Sequence, residues 1–153
     1  DRSAAGTFTV EGNTIKLTSN KEAGKDFTVT AQSKDATGYT INFTHANKYL
    51  LQNIYCVFFV NGEKQEAVTD NKGEIHVDLA HCDSIYAKHL LFPDIVTQVK
   101  DAGTENNRFT LALNPSLEQL SFKGIDLTIE NDGSLSWLPN YFLEMSGVKF
   151  IKQ

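Results

Sequence analysis

The densest group of side chains able to do chemistry lies between residues 76 and 89. It combines three imidazoles, two carboxylates and a thiol: His76, Asp78, His81, Cys82, Asp83 and His89. In an extended strand His76, Asp78 and Cys82 share one face, and their side chains are all competent metal ligands. Because strand residues two apart lie roughly 6.5 to 7 Å apart, one ion needs further ligands from another segment. The pattern thus offers a metal site, against the alternative that the apolar residues between them face a core and leave His76 and Asp78 in solvent.

Catalysis by a cysteine requires a thiol activated by a nearby base. His81 precedes Cys82 directly, so in a strand the two side chains point to opposite faces. Cys56 lies inside an apolar run and is expected to be a buried, inert thiol or half of a disulfide with Cys82. The sequence contains no nucleophile elbow, phosphate loop, dinucleotide fingerprint, zinc-protease helix or calcium loop. We therefore expect no enzyme and no cofactor, and a small enzyme or metal carrier built on residues 76–89 stays an alternative.

Aromatic side chains near the C-terminal end offer a second kind of site. Trp137, Tyr141 and Phe142 flank Pro139, where a loop or short helix would display them. Exposed rings on a β-protein stack on sugars or anchor a protein interface. These three residues are the candidate ligand-binding residues, with burial of Trp137 in a core as the alternative.

Period-two alternation of apolar and polar residues is the strongest structural signal. It predicts a hairpin over residues 7–18 around Gly12, followed by strands over residues 27–31 and 39–43. The almost unbroken apolar run from residue 50 to 60 favours a central strand covered on both sides. Asn61-Gly62 directly after it is typical of a type I′ turn, and residues 50–81 are predicted to form a three-stranded meander.

Residues 83–100 interrupt the alternation. Asp83 or Ser84 is a suitable helix cap and Pro93 a suitable end, so a short helix or an ordered crossover is predicted here. Further strands are predicted from residue 109 onward, giving nine or ten strands in total. The predicted core comprises Phe27, Ile41, Phe43, Ile54, Phe58, Val77, Leu111, Leu127 and Phe150.

The chain has 153 residues, a net charge of -5 and 41% hydrophobic residues, as expected of a globular domain. No basic run is present, so nucleic acid is a poor partner. The longest apolar stretch is far shorter than the roughly 20 residues of a membrane helix, so no membrane insertion is expected.

We expect residues 1–6 to be disordered or set by processing, and residues 7–153 to form one domain. The predicted fold is an all-β, antiparallel sandwich, immunoglobulin-like or jelly-roll-like, with one or two short helices.

One hairpin pattern lies between residues 57 and 79, and it consists of Val60-Asn61-Gly62, then Thr69-Asp70, Gly73, Val77 and Leu79. These residues resemble the hairpin of bacterial surface immunoglobulin-like domains, which implies an extracellular adhesive or spacer sandwich. The low Cys and Met content with many Thr and Asn is also common in secreted bacterial β-proteins. We therefore expect an extracytoplasmic binding or adhesion domain that meets a protein or glycan through its loops and one sheet face. A carbohydrate-binding module with exposed coplanar aromatic rings is the alternative.

Overall fold

The protein is seen here in a computed structural model that describes residues 2–22, 25–34, 37–103, 105–137 and 149–150. Strands dominate this part of the chain, and the predicted all-β class is confirmed. The strands are β1 Gly6–Glu11, β2 Thr14–Ser19, β3 Phe27–Ser33, β4 Tyr39–Thr44, β5 Ile54–Val60, β6 Glu63–Val68, β7 Glu74–Val77, β8 Ser84–His89, β9 Phe92–Val99, β10 Arg108–Leu113, β11 Lys123–Ile129, β12 Leu135–Trp137 and β13 Lys149–Phe150. Short 3₁₀ helices span Lys48–Leu51 and Pro115–Glu118. None of the helices described is long and apolar enough to cross a membrane.

The chain divides into two compact units, whereas the sequence predicts one domain over residues 7–153. The central unit comprises residues 22–118, and the terminal unit comprises residues 1–21 and 119–153. Residues 3–6, which we expected to be disordered, are hydrogen-bonded within the terminal unit. The carbonyl of Ser3 accepts from Leu120 N at 2.7 Å, that of Ala5 accepts from Asn20 N at 3.0 Å, and Gly6 begins β1.

The central unit is a sandwich of two four-stranded sheets. Sheet II has the order β3-β10-β4-β7, and sheet III has the order β6-β5-β8-β9. Their facing side chains form one hydrophobic cluster, in which Tyr39 of sheet II meets Phe58 of sheet III edge-to-face at 6.4 Å. Alternation along each strand supplies this core, because every second side chain points inward.

Two strands of sheet II come from distant parts of the sequence. β10 lies between β3 and β4, antiparallel to β3 and parallel to β4. β7 pairs with β4, so the predicted meander over residues 50–81 is wrong: β5 and β6 pair in sheet III, and the chain then crosses to sheet II. The crossover turn is held by Asp70, whose Oδ1 accepts from the backbone N–H groups of Lys72 and Glu74 at 2.8 Å each. Ile75 and Val77 of β7 face inward and contribute to the core from sheet II.

The predicted turn at residues 61 and 62 is confirmed. Asn61 and Gly62 have φ angles of 52° and 84° and join β5 to β6 with Val60 opposite Glu63. Such a pair of left-handed residues matches the twist of the two strands.

The predicted helix between residues 83 and 100 is wrong, because this segment forms the β8–β9 hairpin. The inward positions of β8 are Ile85, Ala87 and His89, and a buried histidine and a small alanine concealed the alternation. Pro93 lies in β9, an edge strand of sheet III, where a missing N–H does not interrupt a ladder.

Most of the predicted core is confirmed. Seven of its members are buried, namely Phe27, Ile41, Phe43, Ile54, Phe58, Val77 and Leu111. Leu127 of the terminal unit is half-buried, and the side chain of Phe150 lies outside what the structure describes.

The terminal unit contains sheet I, with the order β1-β2-β11-β12-β13. The predicted hairpin over residues 7–18 is confirmed as β1 and β2, which pair antiparallel through a turn at Gly12 with φ 63°. Every residue of β1 is exposed.

Candidate binding surface

The outward side of sheet III carries apolar side chains where a solvated face would be polar. Its centre is formed by Tyr55, Val57 and Phe59 of β5, Tyr86 of β8 and Val96 of β9. Register places them together, since Val57 lies opposite Tyr86 on one side and Glu66 on the other. We call this surface the sheet III face, and it includes the flanking Lys64, Glu66 and Lys88.

The outward side of sheet II shows the contrast within the same sandwich. Apart from the two small residues Ala31 and Ala112, its exposed and half-buried positions are polar, and include Thr28, Thr30, Thr40, Asn42, Thr44, Glu74, His76 and Thr110. This is the ordinary pattern for a sheet packed on one side and solvated on the other. The composition of the sheet III face is therefore not a general property of this sandwich.

A shallow groove of about 680 Å³ runs across the sheet III face. Phe59 and Tyr86 line it in an edge-to-face arrangement, with ring centroids 5.8 Å apart and planes at 88°. A smaller depression of about 100 Å³ lies between Tyr55, Tyr86 and Val96. Val96 is 53% exposed, so the apolar floor continues to the edge of the sheet.

Charged groups surround this apolar centre, and each contacts another charged group or an aromatic ring. Lys64 Nζ lies 2.6 Å from Glu66 Oε1. Glu66 also accepts a hydrogen bond from the Tyr55 hydroxyl, which raises the pKa of Tyr55. The hydrogen bonds from Lys64 and from Tyr55 lower the pKa of Glu66. Lys88 Nζ lies 5.1 Å from the centroid of the Tyr55 ring, as in a cation–π contact. The rim is therefore polar and surrounds an apolar centre.

Comparisons with protein-family models, curated proteins and solved structures found no match to this chain. The resemblance of residues 57–79 to bacterial surface immunoglobulin-like domains stays a prediction. In the structure its residues form the Asn61-Gly62 turn and the Asp70 crossover turn.

Of the predicted metal ligands, His76 lies on β7, and Asp78 and Cys82 lie in the segment between β7 and β8. His76 is exposed on the outer side of sheet II, where Nδ1 lies 3.1 Å from Thr40 Oγ1, and Asp78 is exposed beyond the end of β7. Cys82 is half-buried, and its single S–H is shared between the carbonyl oxygens of Phe59 and Ser84, which lie 3.3 Å and 3.1 Å from Sγ. Among the described residues no three His, Cys, Asp or Glu side chains form a group that could hold a metal ion. The metal site stays a prediction without a geometric counterpart in this part of the chain.

Both cysteines are free thiols. Burial raises the pKa of Cys56 to about 12, and burial also raises the pKa of Cys82. Because the thiolate is the nucleophile, neither residue has the depressed pKa of a catalytic cysteine.

Most of the predicted aromatic site lies outside the residues that the structure describes. Tyr141 and Phe142 lie outside the described residues, and Trp137 is the last residue of β12. Sequence reasoning missed Tyr55, Phe59 and Tyr86, which form the sheet III face. The signal was the apolar run over residues 50–60, which we expected to be covered on both sides. A strand with apolar side chains on both faces has one face in the core. In a chain with so few helices to cover the other face, the same pattern also indicates an exposed apolar surface.

Proposed function

We propose that this chain is a non-catalytic binding or adhesion domain that acts outside the cytoplasm and docks a protein ligand on the sheet III face. The observation that carries the proposal is the apolar groove on an outer sheet surface whose counterpart on sheet II is polar. Contiguous exposed apolar surface with a polar rim is characteristic of protein interaction sites.

Aromatic anchors surrounded by charged side chains favour a protein over a glycan. Tyr86 and Phe59 are of the types that dominate binding energy in protein interfaces, and Lys64, Glu66 and Lys88 form a rim able to exclude water. A carbohydrate module requires coplanar exposed rings. Phe59 and Tyr86 are nearly perpendicular, and Lys88 lies over the ring of Tyr55.

The extracytoplasmic setting rests on composition and on the resemblance of residues 57–79. The open groove is also unlike an active site, which encloses its substrate and excludes water. These features support a binding role for the central unit.

A displayed peptide library tests the proposal, because it offers the groove many different side chains at once. Random peptides on phage are selected against the immobilised wild-type chain, and the affinities of the enriched peptides are then measured by calorimetry. We expect peptides with aromatic and aliphatic anchors, and a loss of about tenfold or more in affinity with Tyr86→Ala, because truncation of a hot-spot residue costs about 2 kcal/mol or more.

Two further variants make the result specific. Val96→Lys places a charge in the groove without touching the core and should weaken the same peptides. Thr44→Lys adds the same charge to the outer side of sheet II and should leave binding unchanged. If the selected peptides bind Tyr86→Ala and Val96→Lys as well as the wild type, the sheet III face is not the site. Binding to an array of glycans with no peptide enrichment would instead support the carbohydrate alternative.

A further inference from the structure

β1 forms one edge of sheet I, and it is a second candidate surface for binding a partner besides the sheet III face. Within the described residues β1 is paired on one side, to β2. Phe8 and Val10 are 66% and 53% exposed. Edge strands are commonly protected by a lysine, a proline or a bulge. The sequence Gly6–Glu11 contains neither residue, and its register with β2 is uninterrupted.

The backbone of β1 presents alternate residues to its open side. The hydrogen bond from Asn20 N to Ala5 O makes residues 5 and 20 a hydrogen-bonded pair. Hydrogen-bonded pairs alternate along an antiparallel ladder, so Thr7 and Thr9 bond to β2. The N–H and C=O groups of Gly6, Phe8 and Val10 therefore point away from β2.

We propose that β1 is a self-association edge, on which two copies of this chain pair β1 with β1 antiparallel about a two-fold axis. The register that places Phe8 opposite Val10 in both directions satisfies the free backbone groups, because both residues present them outward. Thr9 then lies opposite the same residue of the second copy, and Thr7 lies opposite Glu11. No like charges face each other across the pair.

The side chains favour the same register. Phe8 and Val10 lie on one face of sheet I, in rows with Leu17 and Ile15 of β2. An aromatic ring opposite a β-branched side chain is a favourable cross-strand pair. Pairing of two copies joins their apolar rows across the axis and covers Phe8 and Val10, which are both exposed in the single copy. This self-complementarity favours a second copy over an unrelated strand.

Sedimentation equilibrium over about 1 µM to 1 mM measures the association, a range that covers weak to moderate dimers. We expect the wild type to dimerise and Phe8→Pro to weaken dimerisation by about tenfold or more, because proline removes an outward N–H that β2 does not use. Val10→Lys keeps the N–H but places a charge on the edge, and should have the same effect. Val96→Lys, which tests the sheet III face, should dimerise like the wild type.

Disulfide trapping tests the register, in a Cys82→Ser background that leaves Cys56 buried. Thr9→Cys brings two thiols together in a non-hydrogen-bonded pair with Cα atoms about 4.5 Å apart, within the range for a disulfide. Phe8→Cys is the matched control, since its two thiols are offset along the strands. A wild type that stays monomeric throughout, a dimer that persists in Phe8→Pro and Val10→Lys, or cross-linking through Phe8→Cys in place of Thr9→Cys would each overturn the proposal.

Discussion

His89 is fully buried in β8, with both ring nitrogens in hydrogen-bonding contact. Nε2 lies 3.1 Å from the carbonyl of Leu50, and Nδ1 accepts from the backbone N–H of Leu91 at 3.1 Å. This arrangement suits the neutral ring with its proton on Nε2. A second proton on Nδ1 would face the Leu91 N–H, so the fold selects the uncharged form.

The stability of the protein should therefore fall in mild acid. Burial lowers the pKa of His89, so below about pH 6.5 the unfolded chain binds a proton that the folded chain does not. Unfolding then takes up a proton, and the free energy of unfolding decreases as the pH falls. Urea titrations between pH 7.5 and pH 5 should show this decrease in the wild type and a flatter profile in His89→Gln. His76→Gln, which removes an exposed imidazole, is the control, and an unchanged slope in His89→Gln would contradict the assignment.

Whether a single side chain faces the core or the solvent could be predicted where the alternation of apolar and polar residues was clear. His76 and Asp78 are in solvent and Ile75 and Val77 in the core, as in the alternative to the metal site. Cys56 is buried, as its apolar run indicated. The sequence could not show that His89 is a buried polar residue. Its hydrogen-bond partners are backbone groups of Leu50 and Leu91, and only the fold brings them to its ring.

Among the elements, strand positions followed from the sequence but strand partners did not. The hairpins at Gly12 and at Asn61-Gly62 were predictable, because a tight turn fixes the register of the strands it joins. The pairing of β10 with β3 and β4 depends on contacts between distant parts of the sequence, for which alternation carries no information. The β8–β9 hairpin was missed because alternation with a buried polar residue resembles a loop or a helix.

Gly62 and Gly73 have the same φ angle but different surroundings, so substituting each by alanine distinguishes the cost of backbone strain from the cost of overpacking. Gly62 and Gly73 both have φ 84°, but a Cβ at Gly62 would meet nothing within 4 Å. At Gly73 it would lie 3.0 Å from Leu51 Cβ and 3.1 Å from the carbonyl oxygen of Phe43. We expect Gly62→Ala to lower the free energy of unfolding by about 1 to 2 kcal/mol, the strain of the left-handed conformation.

Gly73→Ala should cost the same strain and about 1 to 3 kcal/mol more, because the new methyl group overpacks the crossover turn. Urea unfolding of the two variants at one pH gives the difference directly. Equal losses would mean that the turn between β6 and β7 moves freely to accommodate a side chain.

At the scale of the molecule, the central unit contains its own core. Every member of the buried cluster lies between Phe27 and Leu117. We expect residues 22–118 to fold as an isolated fragment, with one cooperative transition and an unfolding enthalpy of about 60 to 80 kcal/mol for about 100 residues. Scanning calorimetry measures both quantities.

A variant in the core tests whether the unfolding transition of the fragment is that of the sandwich. Phe58→Ala in the same fragment should lower stability by about 3 to 5 kcal/mol, since Phe58 is fully buried at the centre of β5. A fragment with no cooperative transition, or one indifferent to Phe58→Ala, would show that the central unit depends on the rest of the chain.

The all-β class could be predicted because it depends on local periodicity repeated many times. The apolar sheet III face could not be, since an inward and an outward apolar residue look alike in sequence. Tyr55 and Ile54 are neighbours in one apolar run, and the sheet they enter decides which of them meets solvent.

The position of β10 between β3 and β4 has a consequence for synthesis on the ribosome. In the described residues the ladder partner of β3 is β10, which begins at Arg108. At about 5 to 20 residues per second, the roughly 75 residues between the end of β3 and the start of β10 take about 4 to 15 seconds to translate. Sheet III is complete in the emerging chain by Val99, before sheet II can close. During this interval β3 lacks its ladder partner in the nascent chain, so its unpaired backbone groups are open to pairing with neighbouring chains on the same polysome.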